Sequence, residues 1–370
     1  MDQSYDVVIV GAGPAGLGCA RVLQELAIDH VVVERHEIGA SFRRWPEGMR
    51  MITPSFPSNQ FGLLDLNACV LNTSPAYSLQ REHPTGPQYA AYLEAVAEYF
   101  GLAVETGVDV RGVYPRPQGG LVVETSRGPL RAGFVIWAAG EFQYPAQRPF
   151  PGAEHCRHTA TVRSWKALPG EHFLVIGGYE SGVDAAVQLC RLGKRVTVLE
   201  RKASLAPLTS DPSLTLSPFT LERLERAQAT GRVEVVTGAE VVAVERERRG
   251  WRVLTREGTV IRTNTQPLLA TGFAGSLSVI AERFAWREDG FAQLTAEDES
   301  TLTPGLFVAG PLVRQQQAVF CFIYKFRQRF AVVANAIVRR LGVDPAPLEH
   351  YRQRGMYLDD LSCCQEACAC

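Results

Sequence analysis

The sequence has no excess of charge of either sign: 38 Lys and Arg face 39 Asp and Glu, a formal net charge of -1. Nucleic acid and anionic membrane surfaces, which are held by a positive field, are therefore not expected partners. No apolar run reaches the roughly 18 residues that a membrane-crossing helix needs. Residues 1–5 are polar and lead straight into an apolar strand, so no secretory leader is read there. Cysteine pairs are missing from most of the chain. Five of the nine cysteines, Cys19, Cys69, Cys156, Cys190 and Cys321, are scattered, while Cys363, Cys364, Cys368 and Cys370 crowd the last eight residues. The expected compartment is the cytoplasm, where thiols stay reduced unless they do redox or metal work. With 370 residues and 46% hydrophobic residues, the chain is read as a globular protein of two or three domains.

An internal repeat organises the chain. Residues 6–13, DVVIVGAG, read as a buried strand running into glycines, followed by helical spacing of Leu17, Ala20, Leu23 and Leu26 and a second apolar run ending in Glu34. Residues 173–178, FLVIGG, open the same order, with Val183, Ala186, Val187 and Cys190 on the helix and Glu200 closing the next strand. Glu34 follows Gly11, and Glu200 follows Gly177, by the same 23 positions. Each copy then continues into hairpin patterns around PRPQGG and RERRG, and closes on VIWAAG (135–140) or LLATG (268–272). The first copy carries an extra excursion over about 39–100 with an amphipathic helix at 89–100. After the second copy, GLFVAGP (305–311) gives one more strand, and 317–341 reads as one long apolar helix. The fold expected is α/β, with two Rossmann-like three-layer dinucleotide-binding domains, the second inserted in the first.

GAGPAG at 11–16 follows a strand, opens a helix and is trailed by an acid, the full context of a dinucleotide fingerprint. Gly11 permits the turn, Gly13 the approach of backbone N–H groups to a pyrophosphate, and Gly16 the packing of helix on sheet. Pro14 and Ala15 fill the loop between them, and Glu34 accepts from the adenosine ribose. The second loop, GGYESG, spans Gly177, Gly178, Tyr179, Glu180, Ser181 and Gly182, with its middle glycine one place early.

Two such modules, one interrupting the other, resemble the two-domain FAD/NAD(P)H flavoprotein oxidoreductases over essentially residues 1–340. Thioredoxin reductases, bacillithiol-disulfide reductases and flavin-containing monooxygenases belong to that group. The resemblance implies an enzyme, an FAD-binding domain at 1–145 completed by 274–341, an NAD(P)H-binding domain at 146–273, and a tail at 342–370. It implies that Gly11, Gly13, Ala15, Gly16, Glu34 and Arg35 hold the FAD pyrophosphate and ribose, with Val110 at the adenine and Gly310 at the flavin side. Ala139 and Gly140 belong to the same site, and Gly272 to its counterpart in the second module. RQQQA at 314–318 resembles the opening of the final helix in thioredoxin reductases, which would aim a helix N-terminus at Gln317 and Ala318 toward the flavin. The SFRRWP and MRMITPSFPSNQFG stretches resemble the flavin-flanking segment of the monooxygenase and bacillithiol-reductase branches, and so bring Phe42, Trp45 and Met51 to the flavin pocket. One departure is Leu312, where most relatives carry an acidic residue.

The electron acceptor is less legible. Neither disulfide arrangement of the reductases is present, because 155–176 holds only Cys156 and 35–50 holds no cysteine. Many bacillithiol-disulfide reductases have a cysteine where this chain has Ala15. FPGAEHCRH at 150–158 only partly matches the monooxygenase signature, and His158 is read as structural or solvent-facing. That leaves the tail, with three readings: a redox arm passing electrons to a small-molecule or protein disulfide, a soft-metal clamp for Zn, Cu(I) or Hg, or an inert end. Catalytic candidates are therefore Cys363, Cys364, Cys368 and Cys370, which are the metal candidates as well. A monooxygenase-like enzyme and a nucleotide- or metal-sensing module without catalysis stand as alternatives, and a homo-oligomer is compatible with the sequence. For the nicotinamide, Glu200 favours NADH by repelling a 2′-phosphate, while Arg201 and Lys202 lie where thioredoxin reductases bind that phosphate. The balance leans to NADH over NADPH.

Overall fold

The computed structural model describes residues 4–57, 62–205 and 211–362. Their contacts divide the chain into two compact units. The first gathers 4–43, 53–141 and 275–362, and the second gathers 44–52 and 142–274.

The first unit contains, in chain order, β1 (Ser4–Val10), α1 (Pro14–Glu25), β2 (His30–Glu34), α2 (Ala40–Arg43), α3 (Pro75–Leu79), α4 (Gly86–Phe100), β3 (Val104–Thr106), β4 (Val110–Pro115), β5 (Leu121–Thr125) and β6 (Gly128–Trp137). Strands β3, β2, β1 and β6 lie side by side and parallel, and β15 (Leu306–Val308) adds to the far side of β6. Strand β6 is long enough to pair with three strands of this seven-stranded sheet. Its first half pairs antiparallel with β5, which continues to β4, and its second half runs parallel in the main sheet. The central strands are apolar over Val7–Val10, Val31–Val33 and Phe134–Trp137, as parallel strands covered on both faces must be, and Val7, Val8, Ile9 and Val135 are fully buried.

The second unit repeats this plan. Strands β7 (Arg157–His158), β8 (His172–Ile176), β9 (Arg195–Glu200), β10 (Val233–Thr237) and β14 (Leu268–Leu269) form a parallel sheet in the order β10-β9-β8-β14-β7. An antiparallel sheet of β11 (Val241–Arg246), β12 (Trp251–Thr255) and β13 (Val260–Thr263) stands beside it. Helices α5 (Glu180–Arg191) and α6 (Pro218–Gln228) cover one face, with Val183, Ala186, Leu189 and Leu224 in the core. This is the three-layer α/β architecture that the repeat predicts.

Two segments depart from the sequence reading. Residues 44–52, expected in the first domain, pack with the second unit because three polar links hold them there. Glu47 N–H donates to Arg163 O at 3.1 Å, Trp165 Nε1 to Glu47 O at 3.0 Å, and Gln188 Nε2 to Gly48 O at 2.9 Å. The helix expected over 317–341 begins late. Gln316, at φ 52°, turns the chain, so that β16 (Arg314–Gln315) pairs antiparallel with β17 (Ala318–Val319). The Gln315 side chain anchors this hairpin through Asp298 Oδ1 at 2.7 Å and Thr295 O at 2.6 Å. Helix α7 (Ile323–Phe326) then follows, a tighter turn at 327–329 intervenes, and α8 (Phe330–Leu341) completes the run. The intervening turn draws Arg327 and Arg329 inward, toward Asp65 O and Ala68 O and toward Asp298 respectively. The last helix of the described residues, α9, spans Glu349–Gln353, and no helix among them is long and apolar enough to cross a membrane.

Candidate functional site

The two glycine loops stand at the carboxyl ends of β1 and β8, where open parallel sheets bind their ligands. They are built by the same bonds. Gly11 N–H donates to Val33 O at 2.8 Å and Gly177 N–H to Leu199 O at 2.9 Å, and both glycines have φ 105°, which L side chains rarely adopt. A Cβ on Gly16 would lie 1.8 Å from Gly11 O, and one on Gly182 would lie 1.8 Å from Gly177 O. In both, helix and loop touch backbone to backbone.

The acids match as closely. Glu34 accepts from Ala12 N at 2.9 Å through Oε2 and from His36 N at 2.9 Å through Oε1. Glu200 accepts from Gly178 N at 2.7 Å and from Lys202 N at 2.8 Å in the same pattern. Each buried carboxylate thus ties its glycine loop to the end of the next strand.

The loops differ at the head of the helix. Gly13 caps α1 with φ -88° and ψ -173°, and a Cβ built on it would meet nothing within 4 Å. This is open space at a helix N-terminus, where backbone N–H groups favour an anion. The residue that caps α5, with φ -93° and ψ -168°, is Tyr179. Reading the two loops position by position, rather than looking for the next glycine, would have set Tyr179 against Gly13. Its hydroxyl lies 2.7 Å from Thr215 O and 3.1 Å from Ser213 O, and Lys202 Nζ stands 5.7 Å from its ring centroid. Glu180, at the place of Pro14, accepts from Ser217 N at 2.6 Å and from Thr220 Oγ1 at 2.5 Å. Burial pushes the Glu180 carboxyl above its usual range, against the pull of those donors.

The other candidates fall into place around these loops, unit by unit. In the first unit, Pro14 and Ala15 open α1, and a Cβ on Gly310 would lie 3.1 Å from that of Ala15. Ala139 and Gly140 follow β6, and Val110 begins β4, largely buried. Arg35 lies beside Asp109, N to O 3.8 Å, and the Phe42 ring packs tilted against Tyr89, with centroids 4.7 Å apart. Gln317 and Ala318 belong to the β16–β17 hairpin, so neither begins a helix, and the expectation of a helix N-terminus there is corrected. In the second unit, Ser181 lies on α5, Arg201 is exposed after β9, and Gly272 O lies 3.0 Å from His158 Nε2. His158 is buried with both ring nitrogens engaged, since Nδ1 accepts from Ala160 N at 3.2 Å, and burial lowers its pKa. It is structural, not solvent-facing. Trp45, 6.5 Å from the Phe142 ring, and Met51, buried, both pack within this unit. Cys363, Cys364, Cys368 and Cys370 lie outside the described residues. Among the described residues no group of three His, Cys, Asp or Glu side chains is placed to hold a metal ion.

A family model described as pyridine nucleotide-disulphide oxidoreductase matches residues 8–310. The bacilliredoxin reductase Bdr of Bacillus subtilis is 24% identical over 339 residues, covering 90% of this chain and 97% of that protein. A ferredoxin–NADP reductase of Rhodospirillum rubrum is 27% identical over 344 residues, covering 90% of each. Among solved structures, the bacillithiol disulfide reductase Bdr of Staphylococcus aureus shares the fold with a TM-score of 0.74 at 18% identity, covering 91% of this chain and 99% of that one.

Proposed function

The chain belongs to the pyridine nucleotide-disulphide oxidoreductase family and is an FAD-dependent oxidoreductase, and from that premise we propose that its first unit holds FAD, its second holds NADH in preference to NADPH, and its electrons pass to a disulfide. The observation that carries the reading is the duplicated loop and acid, Gly11–Gly16 with Glu34 and Gly177–Gly182 with Glu200, each built by the same hydrogen bonds.

The first loop fits FAD. Gly13 leaves the space that a pyrophosphate needs, α1 presents its N-terminal N–H groups, and Glu34 is held where it can accept from an adenosine ribose. Bound flavin supplies hydride acceptance from a nicotinamide and return of the electron pair. The protein supplies orientation. In the second unit Glu200 is fixed by Gly178 and Lys202 N–H groups, so its charge faces a free 2′-hydroxyl favourably and a 2′-phosphate unfavourably. The Lys202 ammonium already lies over the Tyr179 ring, which supports NADH.

A disulfide acceptor is supported by the name of the Bacillus subtilis relative, a bacilliredoxin reductase. Three of the five cysteines of the described residues are poorly suited to the exchange. Burial pushes the thiols of Cys69 and Cys156 up to about 12, and Cys19 up too, which disfavours the reactive thiolate in these three. The proposed outlet is the set Cys363, Cys364, Cys368 and Cys370, four cysteines within eight residues. Its root is fastened to the first unit, with Leu358 N–H donating to Gln328 O at 2.9 Å and Arg352 gripping Asp359 at 2.7 and 2.9 Å. Two cysteines take up an electron pair as a dithiol, and reducing one acceptor disulfide to two thiols returns them to a disulfide.

Truncation after Leu361 tests the outlet. FAD content and bleaching by NADH are expected to persist while turnover of a disulfide stops. Full turnover by the truncated protein would refute the tail as outlet, and stoichiometric Zn or Cu lost on truncation would reassign it to metal binding.

A further inference from the structure

The second glycine loop carries a large side chain at the one position where the first loop is empty, and that side chain is tied down. Tyr179 and Gly13 share their backbone angles and their place at the head of the helix, so the Cβ of Tyr179 points in the direction that is open space at Gly13. From there the ring extends to residues 213–215, where its single hydroxyl proton is shared between Thr215 O and Ser213 O. The receiving segment is itself pinned. Asp211 Oδ1 accepts from Ser213 N at 2.8 Å, Leu216 is buried in the core of the unit, and Glu180 holds Ser217 and Thr220 at the start of α6. Lys202 closes the third side, over the ring and within 3.5 Å of Leu214 O. These contacts all lie within one compact unit.

We propose that Tyr179 is a gate on the second dinucleotide site: a pyridine dinucleotide seats its pyrophosphate on α5 only when the tyrosine has left the Ser213 and Thr215 carbonyls. The first site, with Gly13, has no such step. The inference rests on the reading that the second unit binds a nicotinamide dinucleotide. A site whose open form is a minor population binds with an apparent affinity reduced by that fraction, so weakening the closed form tightens binding without touching the transfer step.

The experiment uses the intact FAD-bound protein with Tyr179→Phe and Tyr179→Gly. The first keeps the ring and loses its hydroxyl anchor, and the second restores the open loop. Anaerobic stopped-flow reduction gives the dissociation constant of NADH and the limiting rate separately, and calorimetry with ADP-ribose gives binding without hydride transfer. The expected result is a dissociation constant lowered about fivefold in Tyr179→Phe, the worth of one hydrogen bond, and by more in Tyr179→Gly, with the limiting rate and FAD content unchanged. A wild type that is not reduced beside a Tyr179→Gly variant that is would support the gate more strongly still. Unchanged or weaker binding in both variants, with wild type reduced normally, would overturn the gate while leaving the second unit as the nicotinamide site. Absence of ADP-ribose binding and of reduction in all three proteins would overturn both.

Discussion

Replacing Gly13 by aspartate places a carboxylate in the open space at the head of α1. The backbone there, at φ -88° and ψ -173°, suits any residue, and a Cβ meets no heavy atom within 4 Å. The flavin-free protein should therefore fold as before, its stability changed by no more than about 0.5 kcal/mol. FAD is a different matter. A carboxylate about 4 Å from one phosphate charge, at an effective dielectric of about 20, is repelled by roughly 4 kcal/mol, which is close to a thousandfold loss of affinity. The volume of the side chain adds to this by standing where the pyrophosphate must approach. The assay is flavin absorbance per chain in the purified protein, then titration of the flavin-free form with FAD beside its urea unfolding curve. Purification of Gly13→Asp with one FAD per chain, at wild-type affinity, would refute the assignment of this loop to a pyrophosphate. An unfolded variant would show that the space is not open as described.

Arg329→Met should destabilise the protein by about 3–5 kcal/mol, because it strands Asp298, which is 0% exposed and salt-bridged to Arg329 at 2.8 Å, in the core of the first unit. A loss below about 1 kcal/mol in urea unfolding would mean that Asp298 is not charged there, and burial already pushes its carboxyl upward against the pull of Arg329. His158 should make stability fall as pH drops below its ordinary value of 6.5, because the folded ring has the lower pKa and the unfolded chain takes up the proton first. Above that value the ring is neutral in both states and contributes no slope. Unfolding free energies of wild type and His158→Gln at about pH 7.5 and 5.5 test this, and equal pH dependence in the two would exclude it.

The sequence by itself determined the two-module plan. Apolar strand runs, the glycine that each turn needs at φ 105°, and an acid at a fixed distance are local requirements, so Gly11 and Gly177, Glu34 and Glu200, and the strands joining them are legible without contacts. Only the tertiary structure decided where 44–52 belongs, since Trp165, Arg163 and Gln188, far along the chain, supply its partners. The same holds for 317–322. Its composition is compatible with a helix, but Asp298 captures Gln315, Gln316 adopts a left-handed turn, and a hairpin forms where helical periodicity had been read through. Tyr179 shows the division most clearly: its identity is plain in the sequence, but its tie to Ser213 and Thr215 joins positions 34 and 36 residues apart, and no local pattern encodes a side chain crossing from one helix head to the approach of the next.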